Sequence, residues 1–506
     1  MGTLATIDII VLAGYFVLIL IIGLWSYSSV KDTGDYFMGK RRFGKILMIA
    51  HALGTGTHTE MPVSVAGASA QIGLAGIWYQ FMWLFSTPFY WLLSPIYRRM
   101  RYITIGDFFE NRYSSKLGVF YAFWGLLIFV VNIGTLLKGT GTTVEGITGG
   151  GITSSTAILI MTIVILIFGL AGGLVAAMWT DLIQGTFIVI MSFLMVPFAI
   201  LDPKVGGFSG LHQKLSAEMF SLVAPHEVTL FFVIMAVITG LVGIVVQPHH
   251  MAVAGSGKGE FECRMGWAYG NFIKRFCTIG WSFIGIAGAI IFAGEFTPET
   301  RELVFGMSVT RLLPPGLVGL MLASIIAAAI GMTDAFMVDG AALFTRNFYQ
   351  RYMKKTESEK HYLFVARLSS ALMVLGGIAF ALYIPNVIFG LKIMWKLNAY
   401  MGIAFWVGMI WRRANSYGAW TSMILSAILS LSVGETLPWG LGWSLEWESA
   451  LYLPIGFATM IIVSLLTPEE SKEKLDNFYT LIHTPVGEEK KLRDKGVPII
   501  LEREGA

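Results

Sequence analysis

Apolar runs of about 18 to 25 residues recur along this chain up to residue 466, each set off from the next by a short charged stretch. A helix of that length crosses the hydrocarbon of a bilayer and satisfies its own backbone groups where no water is present. The composition agrees: 55% of residues are hydrophobic and only 13% charged, against roughly 25% charged in a soluble domain. An ordinary soluble enzyme is excluded. The pattern predicts an all-α polytopic membrane protein with the lipid bilayer as its first partner. About thirteen spans are expected, near 8–27, 46–72, 76–97, 117–138, 153–174, 179–201, 227–254, 275–294, 315–347, 362–384, 386–411, 417–434 and 449–466.

Basic residues set the orientation. Lys31, Lys40, Arg41, Arg42 and Lys45 follow span one, Arg98, Arg99, Arg101 and Arg112 follow span three, and Lys258, Arg264, Lys274 and Arg275 follow span seven. Cytoplasmic loops are the ones enriched in Lys and Arg, so the N-terminus is placed outside and the C-terminus inside. The net charge of +4 is explained by these loops and gives no reason to expect nucleic acid. The first apolar run, Ile9 to Trp25, has no basic leader or A-x-A site and reads as a retained helix. Cys263 and Cys277 are too few for a disulfide framework. They are expected in or beside a cytoplasmic loop, with a structural role. The polar tail 468–506 reads as cytoplasmic, and the outer loop 202–226 is amphipathic enough for a short surface helix. Nothing in the sequence signals an oligomeric state.

Two spans differ from plain lipid anchors. Span two carries Gly54-Thr55-Gly56-Thr57-His58-Thr59-Glu60 at mid-depth, and span seven carries Gly240, Gly243 and then Gln247-Pro248-His249-His250. Glycine and proline there predict broken helices, with freed backbone groups that survive only in protein or around a polar cavity. Interrupted helices five spans apart are what a five-plus-five inverted repeat places at corresponding positions.

The string Gly172-Gly173-Leu174-Val175-Ala176-Ala177-Met178-Trp179-Thr180-Asp181, followed by Gln184, resembles a landmark of the sodium:solute symporter family. So do Asp35-Tyr36-Phe37-Met38-Gly39-Lys40-Arg41, Gln247-Pro248-His249, and the run from Asp334-Ala335 through Leu343-Phe344-Thr345-Arg346-Asn347-Phe348-Tyr349. The resemblance implies a LeuT-type fold with inverted repeats at 46–201 and 227–411. It also implies a peripheral first helix and loop at 1–45, an external loop at 202–226, peripheral helices at 412–467 and a tail at 468–506. Substrate would sit near the midplane, between the two breaks.

Carried over by position, the family's main sodium site takes carbonyls from Gly54, Thr57 and Ala328, and its paired hydroxyls fall on Gly331 and Met332, which have none. Losing two ligands at about 1–3 kcal/mol each weakens such a site by roughly 10- to 10⁴-fold. A register one residue later would restore one oxygen, from Thr333. Asp181 matches an aspartate that some relatives use for a second sodium, and Asp334 stands where that site has a serine. Two approaching carboxylates would share a proton, which could replace sodium as coupling ion. Asp181 could equally be a helix cap. Lys396, with Lys138, Lys392 and Asp339, adds charge in or near the spans, and an ammonium beside the vacated site is a third account of coupling.

Solute contacts implied by the resemblance fall on Gly56, His58 and Glu60, with Gln247 and His249 from the second break. His58 and Glu60 could instead form a buried pair with each other or with His249. The predicted function is secondary active transport of a small polar organic solute by alternating access, without cofactor or enzymatic chemistry, coupled to protons. The alternative is a sodium symporter using Asp181, Thr333 and Asp334, with no metal beyond that sodium. Two other classes stay open: a sensor on a transporter scaffold, and a membrane-embedded metal enzyme whose ligands are His58, Glu60, His249 and His250.

Overall fold

The computed structural model describes residues 4–27, 41, 43–169 and 173–499, with the backbone alone at 19, 20, 22–27, 167–169, 173–180 and 184. Asp35 to Lys40, Lys31, Arg42 and Gly172 lie outside the described residues. The same holds for the side chains of Trp179, Thr180 and Gln184.

Every predicted span carries helix, and no strand occurs among the described residues. The principal helices are α1 (Thr6–Tyr27), α2 (Lys45–Gly54), α3 (Glu60–Ile72), α4 (Thr87–Met100), α5 (Ile105–Arg112), α6 (Ser115–Ile147), α7 (Ser154–Gly169) and α8 (Gly173–Ile200). They continue as α9 (Leu230–Gly243), α10 (His250–Gly255), α11 (Glu260–Ile291), α12 (Leu317–Phe344), α13 (Glu359–Tyr383), α14 (Val387–Ile410), α15 (Ser416–Val433), α16 (Leu445–Leu466), α17 (Lys472–His483) and α18 (Glu489–Asp494). Eight helices among the described residues are long and apolar enough to cross a membrane. The outer loop carries the expected short helix, Gly207–Lys214.

One boundary is corrected. The span expected at 275–294 is α11, which begins at Glu260, so Lys274 and Arg275 are not loop residues. They lie inside the helix with their side chains buried, 5% and 3% exposed. Cys263 and Cys277 are buried in the same helix as free thiols. Glu260 and Glu262 occupy its first turn, where acidic side chains favour the helix dipole, and that polar start disguised the helix as a loop.

Helices α2 and α3 pack on α11, and α8 closes against α2, α11 and α12. Across the bundle, α9 lies on α14 so closely that a Cβ on Gly402 would sit 1.9 Å from the Val242 carbonyl oxygen. On the face bearing the basic residues, α17 docks through Leu475, Phe478, Tyr479 and Ile482, all buried, and Arg101 pairs with Glu489 of α18 at 2.8 Å.

Lys396 already has a counter-ion, away from the main sodium site. It is buried on α14, 3.1 Å from Glu448 of α16, and also donates to Thr436, while Lys392 pairs with Glu435. Breaking a buried pair leaves an uncompensated charge and costs about 3–5 kcal/mol. Lys396→Met is therefore expected to lower the thermal unfolding midpoint of the purified protein substantially while leaving the ion dependence of uptake unchanged. A changed ion dependence would return Lys396 to the coupling mechanism.

Candidate functional site

The last carbonyls of any helix lack intrahelical partners, and the threonines of the Gly54–Glu60 stretch supply them. The Thr55 backbone N–H and hydroxyl both donate to the His51 carbonyl, and the Thr57 hydroxyl donates to that of Leu53 at 2.7 Å. The Thr57 N–H reaches the Gly54 carbonyl at 3.3 Å. The chain then restarts as α3 at Glu60. Thr59 ties the restart to α6 through the Leu136 carbonyl and the Thr140 hydroxyl.

The second break runs from Gly243 through a short 3₁₀ turn, Ile244–Val246, to α10. Gln247 is extended, with ψ 123°, as a residue preceding proline prefers. Pro248 contributes no N–H. The freed carbonyls of Val245 and Val246 accept from the hydroxyls of Tyr97 on α4 and Tyr121 on α6. Gly240 is not part of this break. It lies within α9, where a Cβ would meet the Trp83 ring at 3.1 Å.

A cavity of about 40 Å³ lies between the two breaks, and α11 lines it through Trp267, Asn271, Lys274 and Arg275. Gly56, His58, Glu60, Gln247 and His249 all line it. His58 and Glu60 pair with each other, Nδ1 to Oε1 at 2.5 Å, so the two residues enter the cavity as one unit. Within it the Nδ1 atoms of His249 and His250, Glu60 Oε2 and both amide atoms of Gln80 have no hydrogen-bond partner. Among the described residues no three His, Cys, Asp or Glu side chains gather to hold a metal ion. The ligand set of the enzyme alternative is therefore not assembled.

Asp181 is wholly buried and accepts from or shares a proton with His51 Nδ1 at 2.7 Å, His51 being 1% exposed. Since α8 starts at Gly173, Asp181 lies inside the helix and does not cap it. Its carboxyl rests on Gly54, where a Cβ would come within 2.5 Å of Oδ1. Asp334 lies on α12, which packs against the α8 that carries Asp181, and each carboxylate keeps one buried oxygen, Oδ1, without a partner. Thr57 and Ala328 line a second, small cavity together with Thr59 and Ser324. Thr333 donates to the Ala329 carbonyl of its own helix at 2.7 Å. Asp339 lines neither cavity.

His51 and Lys274 are the site residues that sequence reasoning missed. Lys274 donates to the Gly56 carbonyl at 2.5 Å from across the bundle. The signal for both was available in principle, because ionisable groups at membrane depth require partners.

The sequence model of the sodium:solute symporter family matches residues 36–426. The chain is similar to an osmoregulated proline transporter of Bacillus subtilis, 24% identical over 441 residues that cover 83% of this chain and 88% of that one. It is equally similar to a sodium/glucose cotransporter of Vibrio parahaemolyticus, 24% identical over 476 residues covering 85% of each. Among solved structures, a substrate-bound, outward-open Na⁺-coupled sialic acid symporter superposes with a TM-score of 0.78 at 17% identity, covering 92% of this chain and 99% of that one.

Proposed function

The chain belongs to the sodium:solute symporter family, and from that premise we propose that it moves a small organic solute by alternating access, coupled through the His51, Asp181 and Asp334 side chains. It is a multi-pass plasma-membrane transporter of LeuT-type fold, not an enzyme. Its repeats would be 46–201 and 227–411, with the N-terminus outside and the C-terminus inside.

The observation that carries the coupling reading is the buried imidazole on Asp181. A hydrogen bond between an imidazole and a carboxylate is a direct path for a proton between them. Gly331 and Met332 provide no hydroxyl at the family's main sodium site, so a proton is the preferred coupling ion. Because the Asp181 carboxyl touches Gly54, a change in its protonation bears directly on the first break. Asp334 would adjust the charge of the cluster.

Sodium is the second reading. The unpartnered Oδ1 atoms of Asp181 and Asp334 are suitable oxygen ligands for a hard cation, Thr333 being the third candidate. The glucose cotransporter and the sialic acid symporter are both named as sodium-coupled. Uptake into proteoliposomes under a pH gradient without sodium, compared with a sodium gradient at equal pH, separates the two, and transport only with sodium refutes the proton. In either case Asp334→Asn is expected to reduce gradient-driven accumulation more than about 10-fold, with solute binding still measurable. Unchanged accumulation removes Asp334 from the mechanism.

A further inference from the structure

We propose that the central cavity selects a small solute carrying a carboxylate, and that the Lys274 ammonium is the group that holds it. This deepens the transport reading and rests on it.

The argument begins with charge. Lys274 and Arg275 both line the cavity, are almost fully buried, and form no ion pair among the described residues. Lys274 gives a hydrogen bond to the Gly56 carbonyl, and an ammonium has three to give. Arg275 donates to the Gln80 carbonyl through Nη1, while its Nε has no partner. The carboxylate that lines the same space is Glu60, and its Oε1 is already engaged by His58. Two buried basic side chains therefore face one carboxylate. A buried charge without a counter-ion is strongly unfavourable, and an anionic solute removes the imbalance where a sugar or urea does not.

Geometry fixes which cation. A Cβ at Gly56 would lie 2.7 Å from Lys274 Nζ, so the glycine is what admits the ammonium to the unwound turn. The unpartnered polar atoms of Gln80, His249 and Glu60 line the same cavity. Trp83, Met61, Ile244, Leu391 and Met394 add an apolar side to the wall, which suits a short hydrocarbon body. The unpartnered Glu60 Oε2 would additionally accept an ammonium, so a monocarboxylate and a zwitterionic amino acid share the chemistry.

The test is binding to purified full-length protein, followed by thermal shift and tryptophan fluorescence, with propionate, pyruvate and proline against propionamide and glucose. Carboxylates are expected to bind and propionamide to bind at least about 10-fold more weakly, as for a charge-assisted hydrogen bond replaced by a neutral one. Lys274→Gln should weaken carboxylate binding by about 10- to 100-fold, and Lys274→Arg should recover part of it. A response to proline identifies the zwitterion, and a response to propionate or pyruvate alone identifies the monoanion. The proposal is overturned if no carboxylate binds, if propionamide matches propionate, or if Lys274→Gln, eluting as a single folded species, binds carboxylates like the parent. Should that variant not fold, the propionate and propionamide comparison on the parent decides. Failure of the proton reading shows only in the uptake assay, so the two failures are distinct.

Discussion

Gly54→Ala is expected to abolish solute accumulation in a protein that still folds and reaches the membrane. The added Cβ would lie 2.5 Å from Oδ1, 2.6 Å from Cβ and 2.7 Å from Cγ of Asp181. These atoms belong to a short side chain whose other oxygen is bonded to His51 at 2.7 Å, so no flexible end can swing aside. Either α8 moves off α2 or the carboxyl rotates and loses the imidazole. Overpacking of this kind costs about 1–3 kcal/mol, which the bundle tolerates. Under the proposed coupling the Asp181–His51 pair does not, because a buried carboxylate stripped of its partner would also lose that role. Accumulation in proteoliposomes should fall by more than about 10-fold while binding of solute at the cavity changes little. Accumulation within twofold of the parent would show that the contact between Gly54 and Asp181 has no part in transport.

Gly402→Ala should act on stability instead. Its Cβ would sit 1.9 Å from the Val242 carbonyl oxygen, 2.7 Å from that carbonyl carbon and 3.2 Å from Gly243 Cα. All three are backbone atoms, so α9 and α14 must separate along the approach to the second break. A loss of about 3 kcal/mol or more is expected, seen as a lowered unfolding midpoint and reduced yield of monodisperse protein. Gly14→Ala, where nothing lies within 4 Å, is the control and should leave both unchanged. Equal behaviour of the two variants would mean that the helices repack around the methyl group at no cost.

Hydropathy made the bundle legible, because the length of an apolar run reports the thickness it must cross. The breaks were legible too, since Gly and Pro at mid-depth free backbone groups that hydrocarbon cannot satisfy. What failed was the reading of Lys274 and Arg275 as loop residues. Clustered basic residues are weighed as topology signals, and nothing local distinguishes a lysine that turns inward to a carbonyl 218 positions away. His51 failed for the same reason. Its partner is 130 residues distant, and a single histidine in an apolar run reads as a core residue. The pairing of His58 with Glu60 was within reach, being two residues apart, but choosing it over solute contact required the backbone path through the break. Tyr97 and Tyr121 carry no mark in the sequence that separates a carbonyl-capping hydroxyl from the other aromatic residues of the bundle.

The two interruptions are secured differently. The first is fastened from within, where Thr55 and Thr57 bond carbonyls four residues behind them, and also from other helices, through Thr59 to α6 and Lys274 to the Gly56 carbonyl. The second is pinned from outside by phenols on two other helices. Shifting it would strip two buried carbonyls at about 1–3 kcal/mol each. Displacing either turn therefore means breaking hydrogen bonds to neighbouring helices.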